Sequence, residues 1–175
     1  MPTIATMPTH LALLRAVNVG GTGLLPMADL RTLAEGLGFE RVRTHLVSGN
    51  LLVDSPRPAE EVQAFLSVAL AAQQGREVGV VMRTAEDLAR VLDEQPFREA
   101  APNRVLVSFL PGPVPADALA TVRHQRDEEI ALLAREVVVH YTSGMGSGKL
   151  RVPAAEAGTA RNLNTVAALL RLMQG

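Results

Sequence analysis

The amino-acid sequence predicts an α+β protein, and three observations carry that prediction. Short apolar runs of strand length alternate with stretches in which apolar residues recur every three or four positions. In the first half these segments follow the order strand, helix, strand, strand, helix, strand, which is the split βαβ pattern. The second and third strands are separated by a short turn, so they pair as a hairpin rather than through a crossover. Together these features define a ferredoxin-like βαββαβ sandwich, with two helices over one face of an antiparallel sheet, followed by a second, smaller α+β portion.

The elements are read in chain order. His10 to Val17 is almost continuously apolar and of strand length, which marks a central strand. Pro26 suits the first position of a helix on which Met27, Leu30, Leu33, Ala34 and Leu37 share a face, and Gly38 stops it. The runs RVRTHLV and NLLVDS are strands joined through Ser48-Gly49-Asn50, where Gly49-Asn50 is a favourable hairpin turn. Pro58, Glu60 and Glu61 open a second helix with Val62, Phe65, Leu66 and Ala69 on one face, and EVGVVMRT completes the set as a strand. Thr84 with Asp87 resembles a capping box and begins a third helix that ends before Pro96. These features divide the chain into a flexible lead-in at 1–9, a ferredoxin-like domain at 10–95 and a second α+β domain at 96–175. In the latter, RVLVSFL is a strand and PGPVP a turn. A helix follows from Ala116 to His124, and EIALLAREVVVHY splits into two strands near Ala134 and Arg135. The polar loop TSGMGSGK leads to a last helix carrying Leu163, Val166, Leu170 and Met173. The two halves alternate similarly without an alignable repeat.

Composition narrows the function classes. With 17 Lys and Arg against 18 Asp and Glu the formal net charge is −1, so no global field draws in nucleic acid or an anionic membrane. Four Phe, one Tyr and no Trp disfavour a stacking platform for single strands. The absence of cysteine excludes disulfides and thiolate chemistry and fits a reducing cytosol. The N-terminus lacks the basic opening of a secretory signal, and the repeated Met-Pro-Thr makes Met7 an alternative start. The expectation is a cytoplasmic protein with no membrane association, nucleic acid disfavoured as a partner and no cofactor.

Three loops invite a chemical reading. The stretch NVGGTG, Asn18 to Gly23, lies between a strand and a helix, where exposed amides and the helix dipole favour an anion. Its glycines are bunched rather than spaced as in a dinucleotide-binding loop, and they serve equally as positive-φ residues of a tight connection. SGMGSGKL fails as a phosphate-binding P-loop: Ser143 stands at the first glycine position and Leu150 where a hydroxyl is needed. A glycine-rich loop with Lys149 near Arg151 survives. GTARNLNTV sets Arg161, Asn162, Asn164 and Thr165 around a helix start, where capping explains Asn162 or Thr159 but not Arg161 and Asn164. His45, Ser48 and Asp54 surround one hairpin. A two-residue turn sets His45 opposite Asp54 and a three-residue turn sets it opposite Val53. His10, His124 and His140 are scattered, with no metal-ligand spacing.

These segments resemble a bacterial family known as domain of unknown function 1697. The resemblance rests on ALLRAVNVGG, the MADLR and LGF segments, the THLVSGN hairpin, GSGKL and the C-terminal GTARNLNTV. It implies an α+β fold with a ferredoxin-like portion and no established activity. Departures from the family pattern are Ala16 for Gly, Thr22-Gly23 for Lys-Asn, His45 for Tyr, Val47 for Gln and Leu163 for Trp. The lost Lys weakens a phosphate reading of the first loop.

Arg15, Asn18, Gly20, Gly21, Ser48, Gly49, Asn50, Lys149, Arg161, Asn162, Asn164 and Thr165 retain the pattern and form the candidate ligand-binding set, with no catalytic residue assigned. The leading expectation is one polar cleft for a small anionic ligand. The alternatives are a structural or partner-binding module in which these residues are turns and caps, and an enzyme acting on phosphorylated or nucleotide substrates. His45 and Asp54 are the first residues such an enzyme would use.

Overall fold

A computed structural model describes residues 7–18, 24–146 and 148–175, and the chain divides into two compact units, Met1–Ala85 and Glu86–Gly175. In the first unit the order is β1 (Thr9–Leu14), α1 (Met27–Gly36), β2 (Glu40–His45), β3 (Asn50–Asp54), α2 (Ala59–Gln74) and β4 (Val80–Arg83). The strands form one antiparallel sheet in the order β2-β3-β1-β4. This is the arrangement that the split βαβ pattern requires. β1 is central because its Leu11-Ala12-Leu13-Leu14 run is wholly buried and needs cover on both faces. Leu30 and Ala34 of α1 and Val62, Leu66 and Leu70 of α2 join Leu14, Leu51 and Val53 in the core. Each buried leucine contributes about 1.5–3 kcal/mol relative to exposure.

Several local expectations change. Thr9 begins β1 rather than ending a loose lead-in: its hydroxyl donates to Asp54 at 2.7 Å, and the Pro8 carbonyl accepts from Ser55 N–H at 3.2 Å. Pro26 precedes α1 instead of occupying its first turn. Phe65 faces outward from α2, with the Arg57 guanidinium 4.8 Å from its ring centroid, because Val62, Leu66 and Leu70 already fill the inner stripe.

The second unit begins within α3 (Ala85–Glu94) and continues through β5 (Val105–Phe109), β6 (Glu129–Leu132), β7 (Glu136–His140), β8 (Thr159–Asn162) and α4 (Leu163–Gln174). The sheet order β6-β7-β5-β8 repeats that of the first unit: the first strand lies between the third and the fourth, and the second takes an edge. Short 3-10 turns at Ala118–Thr121 and Pro153–Ala155 stand where the first unit has α1 and α2. This unit is about as long as the first. It takes in α3, which the sequence reading assigned to the domain before residue 95: Arg90 of α3 lies 4.0 Å from the buried Glu136 carboxylate of β7.

Two sequence expectations fail here. The helix from Ala116 to His124 shrinks to the turn Ala118–Thr121, in which only Ala118 is buried and Leu119 faces solvent. A helix without an apolar stripe to bury has nothing to offset the cost of its nucleation. β8 was not foreseen because its inward residues are Thr159 and Arg161, which carry no hydrophobic alternation. In α4 Leu163, Val166 and Met173 are buried, and Leu169 rather than Leu170 joins them.

Candidate functional site

The antiparallel pairing of β1 with β3 brings the end of β1 and the tip of the β2–β3 hairpin to the same edge of the first sheet. Leu14 N–H donates to the Gly49 carbonyl at 2.8 Å. Asn18 then ties the two loops together. Its amide donates to the Leu25 carbonyl at 2.7 Å and to the Val47 carbonyl at 2.8 Å, while its side-chain oxygen accepts from Leu25 N–H at 2.7 Å. The Asn50 amide closes the hairpin from within, donating to the His45 carbonyl at 2.7 Å and to the Ser48 hydroxyl at 3.2 Å. Gly49 has φ +91°, and a Cβ there would lie 2.6 Å from Val17 Cγ2 and 2.9 Å from Leu14 Cβ. Ala16, Asn18 and Leu46 also hold left-handed backbone, at φ 56°, 56° and 62°. For Ala16 and Leu46 this costs about 1–2 kcal/mol each, whereas asparagine adopts it more readily. Arg15 is exposed and its N–H donates to the Gly79 carbonyl at 2.8 Å. Gly20 and Gly21, with the rest of residues 19–23, lie outside the described residues.

The hairpin register removes the His45–Asp54 pairing. His45 pairs with Asn50 and Asp54 with Glu40, so the loop is the four residues Leu46 to Gly49 and the two side chains stand at opposite ends of the hairpin. Both shorter turns considered from sequence fail because the Asn50 side chain is used inside the loop. Asp54 serves the framework: it accepts from Thr9 and pairs with Arg41 at 3.2 Å.

In the second unit, cross-strand pairs sort the motif residues by face. Arg161 pairs with Val107, which pairs with Val138, whereas Ser108 pairs with Val137 and Leu106 with Val139 and Asn162. Arg161 therefore lies on the face opposite Ser108 and Leu106. It is buried, donates to the Thr159 hydroxyl at 2.7 Å and to the Ala160 carbonyl at 2.8 Å, and burial lowers its guanidinium to about 10. Asn162 is the N-cap of α4, accepting from Thr165 N–H at 2.9 Å, and Asn164 is exposed. Gly158, just before the motif, passes so near β5 that a Cβ would lie 2.5 Å from the Phe109 carbonyl oxygen.

The face bearing Leu106 and Ser108 carries a cavity of about 260 Å³. Its apolar lining includes Leu106, Val139, Leu150 and Val152, and its polar lining is Ser108, Tyr141, Arg151 and Glu156. The glycine-rich loop forms its border: Gly148 lies beside the Glu128 carboxylate and the Tyr141 ring, and exposed Lys149 immediately precedes the lining residues Leu150 and Arg151. The loop is pinned upstream, where the Ser143 hydroxyl donates to the Asp127 carboxylate and Thr142 to the Asp127 carbonyl at 3.0 Å. These hydroxyls hold the Asp127 carboxyl below its usual range. Burial, and secondly the Glu128 charge, push the Tyr141 phenol up, so it remains a donor at neutral pH. Arg151 pairs with Glu156 at 2.5 Å, both partly exposed. Ser108, Tyr141 and Glu156 were not foreseen from sequence, since strand register and the return of the chain at 153–156 bring them together.

A second cavity, of about 280 Å³, is lined by Pro96 to Ala100 together with Glu129 and His140. Glu129 pairs with His140 across the β6–β7 hairpin, and His140 Nδ1 lies 2.9 Å from the Glu129 carboxylate. The sequence reading set His140 aside as isolated. A split at Ala134 and Arg135 is compatible with this register, because a turn at 134–135 sets 133 opposite 136 and therefore 129 opposite 140. Among the described residues no cluster of three or more His, Asp or Glu is arranged to hold a metal ion, and no helix is long and apolar enough to cross a membrane.

Among the described residues, two antiparallel four-stranded sheets of the same strand order, with four helices, define a two-unit α+β protein whose first unit has βαββαβ topology. The chain belongs to the family described as proteins of unknown function, DUF1697, whose sequence pattern matches residues 7–138. Among solved structures it is similar to a conserved bacterial protein, SP0830, from Streptococcus pneumoniae. The TM-score is 0.77 at 21% identity, over 95% of this chain and 99% of that one. None of the curated proteins matches the chain.

Proposed function

We propose that this protein is a cytoplasmic binder of a small anionic ligand, and that the ligand seats in the cavity between the Ser108 face of the second sheet and residues 148–156. The observation that carries the proposal is the composition of that cavity: apolar side chains, two hydroxyls, and the Arg151 guanidinium paired with the Glu156 carboxylate. A ligand with a small apolar body and a carboxylate or phosphate fits this chemistry. The Arg151–Glu156 pair is no obstacle, because an exposed ion pair contributes only about 0–1 kcal/mol, whereas a charge-assisted hydrogen bond to an anion contributes about 1.5–3 kcal/mol. The volume lies just below the usual range for ligand pockets, which restricts the ligand to a small molecule. Lys149 adds positive charge beside the rim. The absence of cysteine supports the cytoplasmic assignment.

The candidate set thereby divides. Lys149 belongs to the ligand site, whereas Asn18, Gly49, Asn50 and Asn162 hold turns and a helix cap, as the structural alternative expects of them. Native mass spectrometry of freshly purified protein tests the proposal. A copurifying small molecule should be present in the wild type and in Arg15→Ala, and lost from Arg151→Ala. Retention of the same mass by Arg151→Ala, or a wild type that carries none and shows no calorimetric heat with phosphate or butyrate, would sink it. Arg161→Ala is unsuitable as the probe, since removing a buried side chain reports on folding.

A further inference from the structure

The second cavity contains the parts of a general acid–base site. His140 Nδ1 is 2.9 Å from Glu129 Oε1, and this contact fixes the imidazole in two ways. With the carboxylate ionised, Nδ1 carries the proton and donates it to Glu129, so in the neutral ring the lone pair belongs to Nε2. The ring is held as well by that hydrogen bond and by contact with the Phe97 ring, whose centroid lies 5.4 Å away. Among the described residues Nε2 makes no hydrogen bond, and the His140 side chain is 17% exposed, so it is accessible without being freely mobile. The wall contributed by Pro96, Phe97 and Ala100 is apolar, and Arg98 and Glu99 are the charged groups there. Register sets this cavity apart from the proposed ligand site. His140 pairs with Val105, which alternates with Leu106, so His140 lies on the sheet face opposite the one bearing Ser108.

We propose that this cavity is a hydrolytic site for small apolar carboxylic esters, with His140 as the catalytic base and Glu129 as its positioning residue. The ester's acyl chain rests on Pro96, Phe97 and Ala100. A water molecule attacks the acyl carbon as its proton passes to Nε2, giving a tetrahedral adduct and an imidazolium stabilised by the Glu129 carboxylate. The adduct collapses, the bond from carbon to the alcohol oxygen breaks, and Nε2 returns the proton to the departing alkoxide. Ester and water yield acid and alcohol, and the imidazole ends neutral. This inference does not depend on the anion site: its residues and sheet face are different.

The test uses the full chain and 4-nitrophenyl butyrate. The expected result is hydrolysis above background with a normal solvent deuterium isotope effect and one ascending pH limb, coincident with the His140 titration followed by NMR. His140→Gln should reduce the rate at least tenfold, the low side of the roughly 10²–10⁴-fold that general bases contribute. His45→Gln and His124→Gln should leave it unchanged. Glu129→Gln keeps an acceptor but removes the charge that faces the imidazolium, so kcat should fall with KM unchanged while the far-UV circular dichroism is unaltered. Equal losses in all three histidine variants, no loss in His140→Gln, or a burst of acylated protein without an isotope effect would overturn the proposal. The last outcome would make the imidazole a nucleophile instead of a base.

Discussion

Replacing Gly49 by alanine probes how the two loops of the first unit are locked together, and the structure supplies its own control. Gly49 sits at φ +91° and its added methyl would lie 2.6 Å from Val17 Cγ2 and 2.9 Å from Leu14 Cβ. Gly38 has nearly the same backbone, φ +88°, but nothing within 4 Å of the added methyl. Both variants therefore incur the left-handed cost of about 1–2 kcal/mol. Only Gly49→Ala also incurs overpacking against β1, which costs about 1–3 kcal/mol. The expected losses are roughly 2–5 kcal/mol for Gly49→Ala and about 1–2 kcal/mol for Gly38→Ala. Urea unfolding monitored by circular dichroism measures each, with an unchanged m-value confirming that the folded state was what changed. In thermal melts the gap between the two variants should be about 2–12 °C for a chain of this size. A Gly49→Ala protein within about 0.5 kcal/mol of Gly38→Ala would refute the packing argument, since that is the spread of neutral substitutions.

Two further outcomes follow from the geometry. Asn18→Ala removes three hydrogen bonds and places alanine at φ 56°. It should cost about 2–4 kcal/mol by denaturant titration and speed proteolysis between β1 and α1, and a loss below about 1 kcal/mol would show the amide to be dispensable. Tyr141 is the only tyrosine and there is no tryptophan, so tyrosinate absorbance reads it alone. Its midpoint should lie above 10, and Glu128→Gln should lower it only in part because burial is the larger cause. The neutral phenol is the form favoured by folding, so this contribution is complete below pH 10 and is lost as the pH rises through the raised value. A midpoint at or below 10 would refute the burial of the phenol.

The first unit was legible because its apolar residues dominate their segments. LALL names a strand buried on both faces, and the stripes of α1 and α2 name their sheet-facing sides. The hairpin register was not legible, since a Gly-Asn pair signals a tight turn while the Asn50 side chain supports a longer one from inside. In the second unit β8 escaped because its inward positions are filled by Thr159 and Arg161. Cap chemistry accounts for Asn162 in GTARNLNTV and turn chemistry for Asn50 in SGN, and local sequence expresses such roles directly. The two cavities were invisible for a different reason. Ser108, Tyr141 and Glu156 meet through a sheet and a returning loop, and Glu129 meets His140 through a strand register.

The shared strand order also dictates when each sheet can exist during synthesis. In both units the strand translated first is the one that ends up in the middle: β1 waits for β3 and then for β4, ending at Arg83, and β5 waits for β7 and then for β8, ending at Asn162. Until β3 leaves the ribosome, the Leu11–Leu14 segment has no strand neighbour, and α1 is its only helical cover. A nascent chain stalled before Asp54 therefore leaves this strand without a complete partner, and one stalled before Arg83 leaves one of its two edges unpaired. The second half repeats that exposure after the first has folded, and these two intervals are where a holding chaperone would find this protein.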